Sequence, residues 1–320
     1  MGSVMKKNAF TLLEIIFVIV ISAILSLGAF KAMEMLYLRS AKAKAITDMT
    51  LRSQIVLDQI GVFLYDRVPN SVIGYKPSDN SCEAITELTT SKPILEWLAT
   101  MDDNLTNREY DGFVDIGLSD NNSSGDGYWL SAPNIDKTID DNDKLNLIFA
   151  GSFDEGSTRV KACKGAFGWH KNDSNLSFDI KIDDDNNITL TDDNDSQPKY
   201  IYEKYYLTQT AYAVARGEDL NESDINGDTD GKCNYNTSKL KDFNNTLFLF
   251  YNYKPYSNNE TFCGDNSSGG TRKGDVSILA TDVTAFEAIY VNETIRINLD
   301  MNRSIRGSTA VHISKQKVIF

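Results

Sequence analysis

Residues 6–30 read KKNAFTLLEIIFVIVISAILSLGAF, and one carboxylate, Glu14, stands near the start of an otherwise apolar run. Between Phe10 and Phe30 the only other polar side chains are Thr11, Ser22 and Ser26. As a helix these residues cover about 31 Å, enough to cross the hydrocarbon core of a bilayer. An acid inside such a span costs about 2.5–3.5 kcal/mol on insertion scales and is rare without a task. The position of Glu14 therefore decides how the N-terminal segment is read.

Lys6 and Lys7 precede the run and predict a cytoplasmic N-terminus, with the rest of the chain across the membrane. A cleaved secretory signal has a shorter apolar region, about 7–15 residues, followed by a small-residue cleavage site. Here the helical pattern continues instead. Residues 31–68 contain no proline and no glycine before Gly61, and apolar side chains recur at three- and four-residue steps: Met35, Leu38, Ala41, Ala45, Met49, Ile55, Leu57, Ile60 and Leu64. The spacing predicts one helix from Phe10 to Val68, ended by Pro69-Asn70-Ser71. A juxtamembrane coiled coil is the plainer alternative for its second half.

Lys6-Lys7-Asn8-Ala9-Phe10-Thr11-Leu12-Leu13-Glu14 resembles the leader junction of type IV pilins and type II secretion pseudopilins. The resemblance implies a leader over residues 1–9, cut by a prepilin peptidase between Ala9 and Phe10, with N-methylation of Phe10. Ala9 departs from the glycine usual at that position. Glu14 then matches the fifth-position glutamate of the family. In lipid its carboxylate can neutralise the cationic amine of Phe10 on a neighbouring helix, a pairing that would set register as a lone polar group does in a coiled coil. The implied organisation is a transmembrane half at 10–30, an amphipathic half at 31–68 and a β-rich head at 70–320 outside the cytoplasm. The implied fold class is α+β, type IV pilin-like: a long N-terminal helix packed on an antiparallel sheet.

After residue 70 the text turns to short apolar runs separated by Asx-rich loops. LNLIFAGSF (145–153) predicts a strand, and SFDIKI (177–182) with ITLT (188–191) predicts a hairpin around Asp183-Asp184-Asp185. YIYEKYYLTQTAYAVAR (200–216) and TLFLFYNY (246–253) predict a further pair, and VSILATDVTAFEAIYV (276–291) with TIRINLDM (294–301) a meander turning at Asn292-Glu293. A single antiparallel sheet on the distal half of the helix accounts for these elements. The stretch from Tyr206-Leu207 to Ala215-Arg216, then Val276-Ser277-Ile278-Leu279 through Val283-Thr284-Ala285-Phe286, resembles J-type minor pseudopilins and their minor-pilin relatives. That resemblance implies a minor subunit at or near the filament tip, where a large head does not crowd lateral packing, with other major and minor subunits, the prepilin peptidase and the inner membrane as partners. A tip adhesin or DNA-uptake receptor is the alternative.

The formal charge of −13 argues against a general nucleic-acid surface, which needs clustered Lys and Arg. Cys82, Cys163, Cys233 and Cys263 form no C-x-x-C pair, and in an exported head they predict two disulfides. Three pairings exist; chain order favours Cys82–Cys163 with Cys233–Cys263. Asp224, Asn226, Asp228 and Asp230, followed by Gly231, alternate as in a Ca²⁺ loop but lack its twelfth-position glutamate, so a solvated acidic loop competes with a calcium site. Asp-x-Asn-x-Ser/Thr occurs at Asn104, Asn122, Asn175, Asn187, Asn194, Asn221, Asn244 and Asn302, resembling the acid-extended acceptor sequence of bacterial N-glycosylation. Loops rich in Asn, Asp and Ser also produce such strings. His170 and His312 are the only imidazoles, with no nucleophile near either in sequence, no phosphate loop and no hydrolase motif, so the reading is a structural subunit without a required cofactor. Trp97, Trp129 and Trp169 read as core or domain-surface anchors.

Overall fold

The computed structural model describes residues 11–319 except 89, 102–110, 122–127, 134, 136–144, 155–161, 164, 172–173, 184–186, 191–197, 199, 227–232, 234, 258, 267–269 and 306–308. Helix α1 (Leu12–Tyr65) is 54 residues long, about 81 Å at the α-helical rise. No residue from Leu12 to Lys44 is buried. From Ala45 onward one face is covered, through Ala45, Met49, Ser53, Val56, Leu57, Ile60 and Leu64. These recur at three- and four-residue steps, as a helix lying on a core requires.

The head is built from β1 (Ile73–Lys76), β2 (Ser81–Ala84), β3 (Ile94–Leu98), β4 (Gly112–Phe113), β5 (Asp115–Asn121), β6 (Tyr128–Ser131), β7 (Leu145–Phe149), β8 (Phe178–Ile182), β9 (Asn187–Leu190) and β10 (Lys204–Thr208). It continues through β11 (Ala211–Arg216), the short α2 (Glu222–Ile225), β12 (Leu247–Tyr253), β13 (Glu260–Phe262), β14 (Thr271–Lys273), β15 (Asp275–Ala280), β16 (Val283–Val291), β17 (Thr294–Ile305) and β18 (Thr309–Ile319).

The central sheet has six strands in the order β15-β12-β11-β3-β1-β2, each pair antiparallel. Both of its faces are buried. On one side Leu95, Trp97, Val214, Leu247 and Leu249 pack with Met49, Leu57, Ile60 and Leu64 of α1, and with Ile295, Ile297, Leu299 and Met301 of the β16-β17-β18 meander. The Trp97 indole donates to the Phe63 carbonyl at 3.2 Å, so even the polar atom of this core side chain is satisfied by the helix. On the other side Ile94, Leu98, Ala213, Phe248 and Phe250 meet Phe167, Trp169, Ile225 and Phe262.

The meander is bolted to α1 by charge as well. Arg303 reaches both Asp48 and Asp282 at 2.7 Å, and Lys317 reaches Asp58 at 2.6 Å. The Lys317 stem crosses α1 at Gly61, where an added Cβ would lie 2.7 Å from Lys317 Cε. A glycine inside a helix, ordinarily unfavourable, here leaves room for the lysine to cross without shifting its flexible end.

The second large sheet runs β4-β10-β7-β8-β9-β6-β5, again antiparallel throughout. β4 and β5 stand at its two ends yet are separated in the chain by Val114 alone. Residues 112–121 thus pair with β10 on one side and β6 on the other, and the sheet closes into a small barrel in which β4 and β5 form one staved position. Leu130, Leu147, Phe149, Phe178, Ile188 and Leu207 fill it. The barrel is an insertion. The chain leaves the central sheet after β3 and returns at β11, with the Ala99 amide donating to the Thr210 carbonyl at 3.0 Å. Ile148 and Tyr206, on the outside of the barrel, join the core of the central sheet and seat one on the other.

A long N-terminal helix followed by antiparallel sheets is what the sequence predicts; the single sheet is not. The 200–216 run divides at Gln209-Thr210, β10 entering the barrel and β11 the central sheet. The 145–153 strand stops at Phe149, and the remaining residues form a 3₁₀ turn. The helix stops at Tyr65 rather than Val68, because Arg67 bridges Ala99 and the Val68 amide bonds the Leu98 carbonyl at 2.9 Å. Tertiary pairing captures these residues before the proline does. Ile55 and Met35 are exposed, and Val56 takes the core position assigned to Ile55.

Candidate processing and assembly site

Ala9 and Phe10 lie outside the described residues. The first described helical turn nonetheless gives Glu14 a local surrounding. Thr11 is the N-cap of α1, its hydroxyl accepting from the Glu14 amide at 3.4 Å, and the Glu14 carboxylate returns to that hydroxyl at 3.4 Å. Thr11-x-x-Glu14 is a capping-box spacing, a signal the sequence carried and the reading above passed over. Glu14 is exposed, as are the apolar side chains around it: Leu12, Leu13, Ile15, Ile16 and Phe17. Residues 12–30 present an apolar surface that the head leaves uncovered, long and apolar enough to cross a membrane.

The head carries the other residues singled out by sequence. Cys82 is bonded to Cys163 and Cys233 to Cys263, with Cα separations of 5.9 and 5.4 Å, and no described cysteine is free. The first bond ties β2 to a segment returning from the barrel, which carries Phe167 and Trp169 onto the central sheet. Of the calcium-loop residues, Asp224 accepts the Asn221 amide at 2.8 Å and lies 3.9 Å from Arg272 Nε, whereas Asn226 is the exposed C-cap of α2. Asp228 and Asp230 lie outside the described residues, and among those described no His, Cys, Asp and Glu side chains gather as a metal site. Of the glycosylation candidates, Asn175, Asn244 and Asn302 are exposed, Asn187 is buried, Asn221 caps α2, and Asn104, Asn122 and Asn194 lie outside the described residues. Trp97 and Trp169 are buried, and Trp129 is partly so.

One constellation has no sequence signal. The His170 ring is buried, with Nε2 2.8 Å from Glu96 Oε1 and Nδ1 3.7 Å from Asp265 Oδ2. Tyr75 stacks on it at 3.6 Å between centroids, and the Tyr253 hydroxyl donates to Glu96 Oε2 at 2.9 Å. The partners are far apart in the chain, Glu96 on β3 being 74 residues from His170. An imidazole hydrogen-bonded to one carboxylate and 3.7 Å from a second favours its own protonated form. Burial pulls the His170 pKa down, but the charge and hydrogen bond of Glu96, with the charge of Asp265, outweigh it and hold the pKa above the ordinary 6.5.

The sign of the linkage follows. A raised folded-state pKa stabilises the fold fully below the unfolded pKa near 6.5, and that contribution is lost as pH rises through the folded value. Thermal unfolding of the oxidised head is expected to show a midpoint falling by several degrees between pH 6 and pH 10, and His170→Gln to remove most of that slope. A midpoint indifferent to pH in the wild-type head would contradict the clasp.

Residues 4–30 match the family model of the prokaryotic N-terminal methylation motif. No curated protein and no solved structure matches the chain significantly. The motif, the exposed apolar helix that follows it and the disulfide-bonded β-rich head support a prepilin-type, type IV pilin-like protein, and the motif implies processing by prepilin peptidase and assembly with other pilins.

Proposed function

We propose that the chain is a non-catalytic minor subunit of a type II secretion pseudopilus or type IV pilus, placed at or near the tip. Cleavage between Ala9 and Phe10 frees the amine that Glu14 of a neighbouring helix neutralises, and the subunit enters the helical core by that pairing. The observation that carries the reading is α1 itself, a continuous 54-residue helix whose first 33 residues are left bare by the head and whose last turns are welded to it. A rigid joint of that kind transmits the position of the helix in a bundle to the position of the head outside it. The breadth of the head, a central sheet with an inserted barrel, favours the tip over the shaft, and the J-type resemblance runs through β10, β11, β15 and β16.

A second role, display of a receptor surface, is favoured by one feature of the barrel. Phe113, Ile116, Leu118 and Tyr200 are exposed there, and the register between β5 and β6 shifts between Asp115 and Asp120, so that Ile116-Gly117-Leu118 bulges outward. A photo-crosslinking residue in place of the exposed Tyr37 on α1 tests assembly directly. The expected product is an adduct with another pilin or pseudopilin subunit in the assembled machine; adducts with lipid alone would overturn the proposal.

A further inference from the structure

The sequence holds an excess that the assembly role leaves unexplained. Of its fourteen Asn-x-Ser/Thr sites, eight carry Asp two residues before the asparagine, where 45 acidic residues in 320 would place an acid at about two by chance. The structure sorts the five described members of that set. The Asn187 amide is buried and donates to Asp183 Oδ2 at 3.0 Å, within its own hairpin turn. The Asn221 amide donates to Asp224 Oδ2 at 2.8 Å while its carbonyl oxygen caps α2. Both asparagines are held by residues no more than four positions away. These two side-chain contacts are short-range in sequence and can form ahead of the long-range strand pairing around them.

Asn175, Asn244 and Asn302 differ. All three side chains are exposed, and none of the three side-chain amides has a hydrogen-bond partner among the described residues. Asn175 and Asn244 stand in turns preceding β8 and β12, and Asn302 on the outward face of β17. A bulky polar group on any of them would project into solvent without displacing a core atom. Their hydroxyl partners add an order of events. Thr246 is fully buried and Ser177 nearly so, and Asn302 lies in a strand paired on both sides, opposite His312 on β18. A transferase that reads Asn together with the Ser or Thr two residues on can reach the hydroxyls beside Asn175 and Asn244 only before the sheets close; Ser304 beside Asn302 is exposed, and there the bar is a strand already paired on both sides.

We propose that Asn175, Asn244 and Asn302 are N-glycosylated during export, before the head folds, by a transferase that requires the Asp two residues upstream. The donor is an oligosaccharide on a polyprenyl pyrophosphate. The side-chain amide nitrogen bonds the anomeric carbon of the first sugar, the bond from that carbon to the pyrophosphate oxygen breaks, the pyrophosphate leaves with the electron pair, and the amide proton passes to a base. No electron transfer is involved. The inference rests on export of the head, and not on which filament the subunit joins.

The test is peptide mass spectrometry of the full chain purified from its native membranes, beside Asp242→Asn and Asp300→Asn, which keep Asn-x-Ser/Thr and remove only the acid. Glycan adducts are expected on the Asn175, Asn244 and Asn302 peptides and absent from Asn187 and Asn221. Asp242→Asn should lower occupancy at Asn244 at least tenfold, and Asp300→Asn at Asn302, with the untouched sites in each variant serving as controls for export and folding. Protein folded without ever meeting the transferase, and so with its asparagines intact, should not be modified when added to the same membranes. Bare peptides at all three sites, in chains that start at Phe10 and carry both disulfides, would overturn the inference alone. Occupancy unchanged by loss of the acid would overturn it too, and chains with reduced cysteines would overturn the exported topology beneath it.

Discussion

Glu14→Ala is expected to leave leader cleavage intact and to reduce incorporation of the subunit into filaments at least tenfold. The carboxylate has two candidate tasks, and they differ in what they need. As the N3 residue of a capping box it needs only an acceptor near Thr11, which glutamine also supplies. As the partner of a cationic amine in lipid it needs its charge, because a neutral amide leaves the amine uncompensated where water cannot solvate it. Glu14→Gln separates the two. Incorporation of Glu14→Gln at the wild-type level, measured by the ratio of filament to membrane protein, would show that capping alone accounts for the residue. A defect as deep as that of Glu14→Ala would assign the charge to assembly. The measurement must be made on processed protein, confirmed by an N-terminus at Phe10, since an uncleaved leader would also keep the subunit out.

The same contrast between local and distant causes explains which parts of the molecule could be read from the sequence. The anchor was legible because apolar length, flanking lysines and one misplaced acid are all properties of consecutive residues. The β8-β9 hairpin was legible for the same reason, its two apolar runs being joined by five Asx residues. The barrel was not. Its closure depends on Gly112–Phe113 finding β10 while Asp115–Asn121 finds β6, and nothing in a ten-residue run says that its two halves bond to strands about 90 and 10 residues away. Nor does the 200–216 text reveal that Gln209-Thr210 is a passage between sheets, since apolar alternation continues on both sides of it. The His170 clasp was illegible in a stricter sense. A lone histidine carries no sequence signal, and its carboxylates arrive from β3 and from the segment after β13 only once the head is folded.

Cys82→Ser should be the most damaging single change within the head, lowering its unfolding midpoint by about 10 °C and loosening one segment before the rest. The Cys82–Cys163 bond closes a loop of 81 residues and Cys233–Cys263 one of 30. On the chain-entropy account these are worth about 4.5 and about 3.7 kcal/mol, so length alone separates them little. Position separates them more. Cys163 belongs to the segment between β7 and β8 that lays Phe167, Trp169 and His170 over the central sheet. Without the bond to β2, the apolar contacts of the segment and the proton-dependent pair with Glu96 carry more of its seating. Limited proteolysis of Cys82→Ser is therefore expected to cut first between the barrel and Trp169, and faster at pH 9 than at pH 6, because loss of the His170 proton removes the remaining charged tie. Cys233→Ser should show the stability loss with a weaker pH dependence, because its bond leaves the Cys82–Cys163 tie on the His170 segment in place. Equal cleavage of the two variants at both pH values would separate the clasp from the disulfide and leave the fold of this layer to apolar packing alone.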